Sequence, residues 1–366
     1  MAAAEDCLPE VEACQVLRNK SIAFSDSPDV VLQGAEGRST LHVIQREFAV
    51  IHSASGDATP GVPHSVGSDA ATTCHIVALR HSSSGTTVLG HLDSAERSQL
   101  HVDQMLQALP SSSPSVDVYI VGGLRTGDGQ GAAATQALLR SLHAHPVQMR
   151  LVLACIGALN TCWPGVAAAE PGAAPTPSAP DGRHTVIPAQ IGASLPNATS
   201  APQQHWYLQL PSLRPKKLLH SVPPLPVKCG LSVNASTGHA QPVRFDRSAR
   251  GPAFVIRSAR VLSSATALAE LYDARIAAVR VAPFPLPMRV RDARCLLALG
   301  SARLLQVMST SPAAEDDRFV PDMREALQAV VKWGSAWEER VFPQGQPIVV
   351  PACGSEREGD SEDKAM

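Results

Sequence analysis

Apolar residues along the chain recur with two periods. Runs with alternating or continuous β-branched and apolar residues read as strands, and segments with apolar positions three and four apart read as helices. LHVIQREFAVI, from Leu41, reads as one strand, and the Ser/Gly/Pro-rich stretch from His52 to Val66 as a loop. Thr72 to Arg80 and Thr86 to His91 are two extended runs, joined by Ser82, Ser83, Ser84 and Gly85, and this pattern predicts a hairpin. A helix is expected from Ser94 to Leu109, with Ser94 as N-cap and Pro110 beyond its end. Val116–Gly123 reads as a strand, Gln130–His143 as a helix and Met149–Ile156 as an apolar strand. Further on, strands are expected at CGLSVN, LAELYDA and AAVRVAPFP, and helices near Pro252, over Ser301–Met308 and over about Val320–Trp337.

Three stretches break this pattern. Residues 1–38 mix short apolar groups with Pro, Ser and Asp and predict a poorly ordered lead-in. Residues 163–227 hold 13 of the 30 prolines among Ala, Ser, Thr and Gly, a composition that cannot build packed elements and reads as a disordered insert. The tail 353–366 is acidic and almost free of apolar residues. The remaining segments, 39–162 and 228–352, are expected to form a single domain.

With 366 residues and 44% hydrophobic composition, the chain can fill a substantial core. A net charge of −2 and the lack of a Lys/Arg cluster argue against nucleic acid or an anionic membrane as partner. The start has no signal-peptide pattern and no apolar run is long enough to span a bilayer, so a soluble, intracellular protein is expected. Eight scattered cysteines without a CxxC pair fit reduced thiols rather than disulfides or a zinc site, and no metal or cofactor is called for.

The hairpin carries the candidate chemistry. Strand parity turns His75 away from Cys74, and His81 has the wrong parity as well. If the turn is centred on Ser83 and Ser84, position 91 pairs with 76, and Cys74 becomes a diagonal neighbour of His91, about 7–8 Å away by Cα. A nearby imidazolium would lower the thiol pKa from about 8.5, making Cys74 a nucleophile with His91 as its base. Ser68 and Asp93 are the local candidates to orient the ring. On these residues alone, a lone cysteine in an apolar strand is more often an inert core residue.

GSDAATTCHIVALRH followed by GHLDS resembles the active-site segment of the eukaryotic protein N-terminal asparagine amidohydrolases. QREFAV, VDVYIVGG, LVLACIGALN, GLSVN, ELYDA, APFP and STSP follow in the family's order, so the resemblance covers both halves. More distantly the segment is similar to the chemotaxis receptor glutamine deamidases, whose His follows the Cys by 17 residues and whose hydroxyl residue precedes it by six, as His91 and Ser68 do here.

The resemblance implies an α+β fold, a layered α-β-β sandwich with mixed or antiparallel sheets. It implies Cys74, His91 and Ser68 as the catalytic set, and hydrolysis of the carboxamide of an N-terminal Asn through a thioester. The substrates would be proteins or peptides with a free N-terminal Asn. The product would feed arginylation machinery in an N-degron pathway, in the cytoplasm and also the nucleus. Selecting a free N-terminus requires a site for the ammonium, for which Asp69 and Asp273 are the candidates, with Thr73 as a further substrate-binding residue. Two other readings remain at this point: a cysteine amidase acting on protein glutamine, and a catalytically silent interaction protein.

Overall fold

The computed structural model describes residues 7–34, 37, 39–53, 62–110, 115–126, 129–164 and 223–352. The tail 353–366 and most of the Pro-rich insert lie outside them. Among the described residues, no helix is long and apolar enough to cross a membrane.

A six-stranded mixed sheet forms the centre, in the order Ala269–Glu270, Glu47–Ile51, Thr87–Leu92, His75–His81, Val116–Leu124, Met149–Gly157. The predicted hairpin is its middle, and Ile76 pairs with His91, as a turn centred on Ser83 and Ser84 requires. Side chains of the His75–His81 strand alternate between two cores. Val77 and Leu79 pack with Val102, Met105, Leu138 and Leu139 of the Ser98–Gln107 and Gln130–His143 helices. Ile76 and Ala78 pack with Leu41, Val66, Leu231 and Val233. These last residues belong to a four-stranded sheet, Ala240–Gln241, Leu231–Asn234, Ser65–Ser68, Thr40–His42. One face of the central sheet therefore carries helices and the other a second sheet, in an α+β architecture. The Phe254–Val261 and Phe319–Trp333 helices close the second core through Ile256, Ala259, Leu327 and Val330.

Four expectations change. The run from Leu41 is two strands in two sheets: Thr40–His42 pairs with Ser65–Ser68, and Glu47–Ile51 with Thr87–Leu92. The break is the turn at Arg46, whose φ is 65°, with Glu47 N donating to Ile44 O. A buried ion pair holds both sides of the turn, because Arg257 Nη2 donates to Glu47 Oε2 at 2.7 Å and to His42 O at 2.6 Å. Period-two reading cannot detect a chain that leaves one sheet for another without a Gly or Pro.

The lead-in is also more ordered than its composition predicts. Cys7–Ala13 and Gln15–Asp26 are helices, with Pro9 in the first turn, where its missing N–H costs nothing. Leu17, Ser21 and Phe24 form the buried stripe of the second helix, and Ser21 Oγ donates to Ala154 O at 2.9 Å. Next, the helix expected from Ser94 starts at Ser98, and Ser94 offers only its carbonyl, to Ser98 Oγ. Last, the helix expected to reach Trp337 ends at Trp333, because Gly334 takes a positive φ, and an additional helix forms over Val290–Leu297.

Candidate active site

Cys74 immediately precedes the His75–His81 strand and packs at the edge of the core between the two sheets. His75 projects to the opposite face, where its Nε2 lies 2.9 Å from Thr135 Oγ1 in the helix layer. The parity argument therefore holds, and the adjacent histidine is structural. His91 shares the face of Cys74 through its pairing with Ile76, and both side chains line one cavity of about 220 Å³.

Ser68 ends the Ser65–Ser68 strand of the second sheet, opposite Leu231. Its Oγ lies 2.9 Å from His91 Nδ1, so one hydrogen bond spans the two sheets and fixes the imidazole. His91 Nε2 is buried with no hydrogen-bond partner among the described residues. If Nδ1–H donates to Ser68, Nε2 carries the lone pair that a general base needs. The other candidate orienter, Asp93, is held by Arg46 Nε and by Gln45 Nε2 at 3.0 Å, and it acts on the site only through its charge.

The electrostatics favour an uncharged Cys–His pair. Burial pushes the Cys74 thiol well above its ordinary value, and the Asp93 and Glu315 carboxylates add to the rise against the opposing Arg46 charge. Burial pushes His91 down to about 4, although Asp93 and Asp69 pull it upward. The thiolate–imidazolium pair expected from the sequence is therefore not favoured, because burial disfavours the charged form of each group.

Asp69 lines the same cavity, but both its oxygens are engaged. Oδ1 lies 3.2 Å from His42 Nε2, while Oδ2 accepts from Arg318 Nη1 and from Phe245 N, each at 2.9 Å. Burial would raise its pKa, yet the His42 and Arg318 charges and the Phe245 N–H hold it far below the usual carboxylate range. Thr73 also lines the cavity, with Oγ1 2.8 Å from Thr310 Oγ1.

Asp273 does not belong to the site. It lines a separate cavity with Val50, His52 and Arg280, and its carboxylate is taken by Arg275, Nη2 donating to Oδ2 at 2.8 Å. A turn carboxylate two residues before an arginine satisfies itself locally.

Sequence reasoning missed His42, Arg250, Glu315 and Arg318, which line the cavity from remote segments. Glu315 and Arg318 lie in STSPAAEDDRF, next to STSP, and the charged residues following that segment were the available signal. Among the described residues, no three metal-ligating side chains converge.

The chain is similar to known proteins over most of its length. The family model described as protein N-terminal asparagine amidohydrolase matches residues 31–171 and 213–352. A protein N-terminal asparagine amidohydrolase of Arabidopsis thaliana is 26% identical over 349 residues, covering 91% of this chain and 83% of the relative. The proteins of that name from Sus scrofa and Homo sapiens are each 25% identical, covering 93% and 88% of this chain and 86% and 82% of their own lengths. The match on both sides of the insert includes every segment that builds the Cys74 cavity, and the chain belongs to the protein N-terminal asparagine amidohydrolase family.

Proposed function

We propose that this protein hydrolyses the side-chain carboxamide of an N-terminal asparagine to aspartate, releasing ammonia, with Cys74 as nucleophile, His91 as acid–base and Ser68 as the residue that positions His91. The observation that carries this reading is the Ser68–His91 hydrogen bond at 2.9 Å, whose imidazole faces the same cavity as Cys74.

Because the resting pair is uncharged, His91 Nε2 takes the Sγ proton as the sulfur attacks the amide carbon. The oxyanion is assigned to the backbone N–H groups of Thr73 and Cys74, which donate to no backbone oxygen among the described residues. Collapse of the tetrahedral intermediate breaks the C–N bond, and His91 returns the proton to the departing nitrogen, leaving a thioester. Water, deprotonated by His91, then splits the thioester to give the Asp carboxyl and the Cys74 thiol.

The names of the relatives support Asn as the substrate, and Thr73, which lines the cavity, is assigned to contact it. An N-terminal Asp would serve an arginylation step, which puts the enzyme upstream in an N-degron pathway of the cytoplasm and nucleus.

Mass spectrometry of peptides headed by Asn, Gln and N-acetyl-Asn tests the reading. A gain of about one dalton on the free Asn peptide alone is expected. Conversion of Gln peptides with Asn peptides untouched would mark a glutamine amidase. Loss of nothing in Cys74→Ala would show that the chemistry lies elsewhere.

A further inference from the structure

An enzyme that acts on the first residue of a chain must recognise the α-ammonium, a cation that is desolvated when the residue enters a cavity. Four carboxylates line the Cys74 cavity: Asp69, Glu315, Asp316 and Asp322. Three already have cationic partners. Asp69 is held by His42 and Arg318. Asp316 pairs with Arg244 at 3.3 Å and with Arg318. Asp322 is bound by Arg250 Nη1 at 2.6 Å.

Glu315 differs. Its Oε1 accepts from Ser309 Oγ at 2.6 Å and from Thr72 Oγ1 at 3.4 Å, and Ser311 Oγ donates to Thr72 Oγ1 at 2.8 Å. Hydroxyls hold this carboxylate in place without neutralising it, and among the described residues no Lys, Arg or His pairs with it. Thr72 stands two residues before Cys74, so this hydroxyl cradle is anchored beside the nucleophile.

On the reading that N-terminal Asn is the substrate, we infer that Glu315 receives the α-ammonium and sets the requirement for a free N-terminus. Three bonds separate the ammonium nitrogen of Asn from its amide carbon, so a carboxylate that holds the first must lie close to the sulfur that attacks the second. The electrostatics agree. Glu315 is among the charges that raise the Cys74 thiol, and burial raises the pKa of Glu315 itself, so a cation docked beside it favours its ionised form. An ammonium docked on Glu315 offsets that charge and eases proton loss from Cys74, which couples substrate recognition to activation of the nucleophile. Acetylated or internal asparagine brings no cation and gains neither effect.

The test compares kcat/KM for an Asn-headed peptide with that for its des-amino counterpart, in which hydrogen replaces the α-ammonium, in wild type and in Glu315→Gln. Wild type is expected to prefer the free amine by about 100-fold or more, and Glu315→Gln to lose about 10- to 100-fold of that preference while its melting temperature stays near that of wild type. Glu315→Asp keeps the charge one methylene farther away and is expected to fall between the two, which keeps the test open if Glu315→Gln folds poorly. A preference unchanged in both variants, or absent in wild type, overturns the assignment of Glu315. A wild type that converts no Asn-headed peptide at all overturns the substrate reading on which it rests.

Discussion

His91 is fixed through Nδ1 by Ser68 and leaves Nε2 free of partners, so the two nitrogens have separable roles. Ser68→Ala removes the hydroxyl beside Nδ1 but leaves the proposed base, His91. The expected result is a fall in kcat of about 10- to 100-fold with little change in KM, because the imidazole then samples unproductive rotations. His91→Asn and Cys74→Ala should both abolish turnover. A Ser68→Ala enzyme with wild-type kcat would remove Ser68 from the site. That Cys74 and His91 share a face was legible in the sequence because they flank one hairpin, where parity and turn arithmetic decide which side chains meet. Ser68, on a strand of the second sheet, was reached by its closeness in sequence and by the resemblance. Glu315 and Arg318 were not, since their approach to Thr72 and Asp69 closes separations of 243 and 249 residues. Asp273 was misassigned for the same reason in reverse, because its nearest partner is the local Arg275 and no strand pattern reveals that.

At the scale of elements, the position of Cys74 depends on the neighbouring strand. Gly123 N donates to Cys74 O at 2.8 Å, and the ladder between Val116–Leu124 and Met149–Gly157 shifts register between Val121 and Leu124. Gly122 has φ of +121°, and a Cβ there would stand 2.1 Å from Cys74 O. Gly122→Ala must therefore push the Cys74 carbonyl aside as well as strain its own backbone. A stability loss of about 1–3 kcal/mol is expected, together with at least a tenfold fall in kcat/KM. Gly129→Ala is the control, since Gly129 has φ of +77° and, among the described residues, nothing within 4 Å of its Cβ position, so it carries the backbone strain without touching the site. Denaturant titration and kinetics on the two variants separate strain from displacement, and equal activity in both would sink the claim that Gly122 positions Cys74. Of these elements, the hairpin and the flanking Val116–Leu124 strand were readable because each sits whole within one sheet. The division at Arg46 was not, because a left-handed arginine carries no signature in composition, and the buried Glu47–Arg257 pair that stabilises the turn joins positions 210 residues apart. The N-terminal helices were masked by their polar faces, although Leu17, Ser21 and Phe24 do keep helical spacing.

For the whole molecule, the same burial that disfavours charge on the proposed Cys74–His91 pair makes stability depend on pH. His75 and His91 lie on opposite faces of the central sheet, and burial pushes each down to about 4 in the folded protein, His91 adding to the effect on His75. In the unfolded chain a histidine titrates near 6.5. Between about pH 6.5 and 4 the unfolded state therefore binds protons that the folded state refuses, and stability falls as pH drops through this window. Asp69 works below it: its folded pKa is depressed, so its contribution is present above the ordinary carboxylate range and is lost only at lower pH. Between pH 7 and pH 5 each histidine is expected to remove on the order of 2 kcal/mol of unfolding free energy. His75→Gln keeps a hydrogen-bonding partner for Thr135 Oγ1 and abolishes one titration, without touching the face that holds Cys74. Urea unfolding at both pH values should then show a smaller loss for His75→Gln than for wild type, with activity at pH 7 retained. A loss as large as that of wild type would mean that His75 is protonated alike in the folded and unfolded states, and the desolvation that also keeps His91 neutral would have to be weaker than its burial implies.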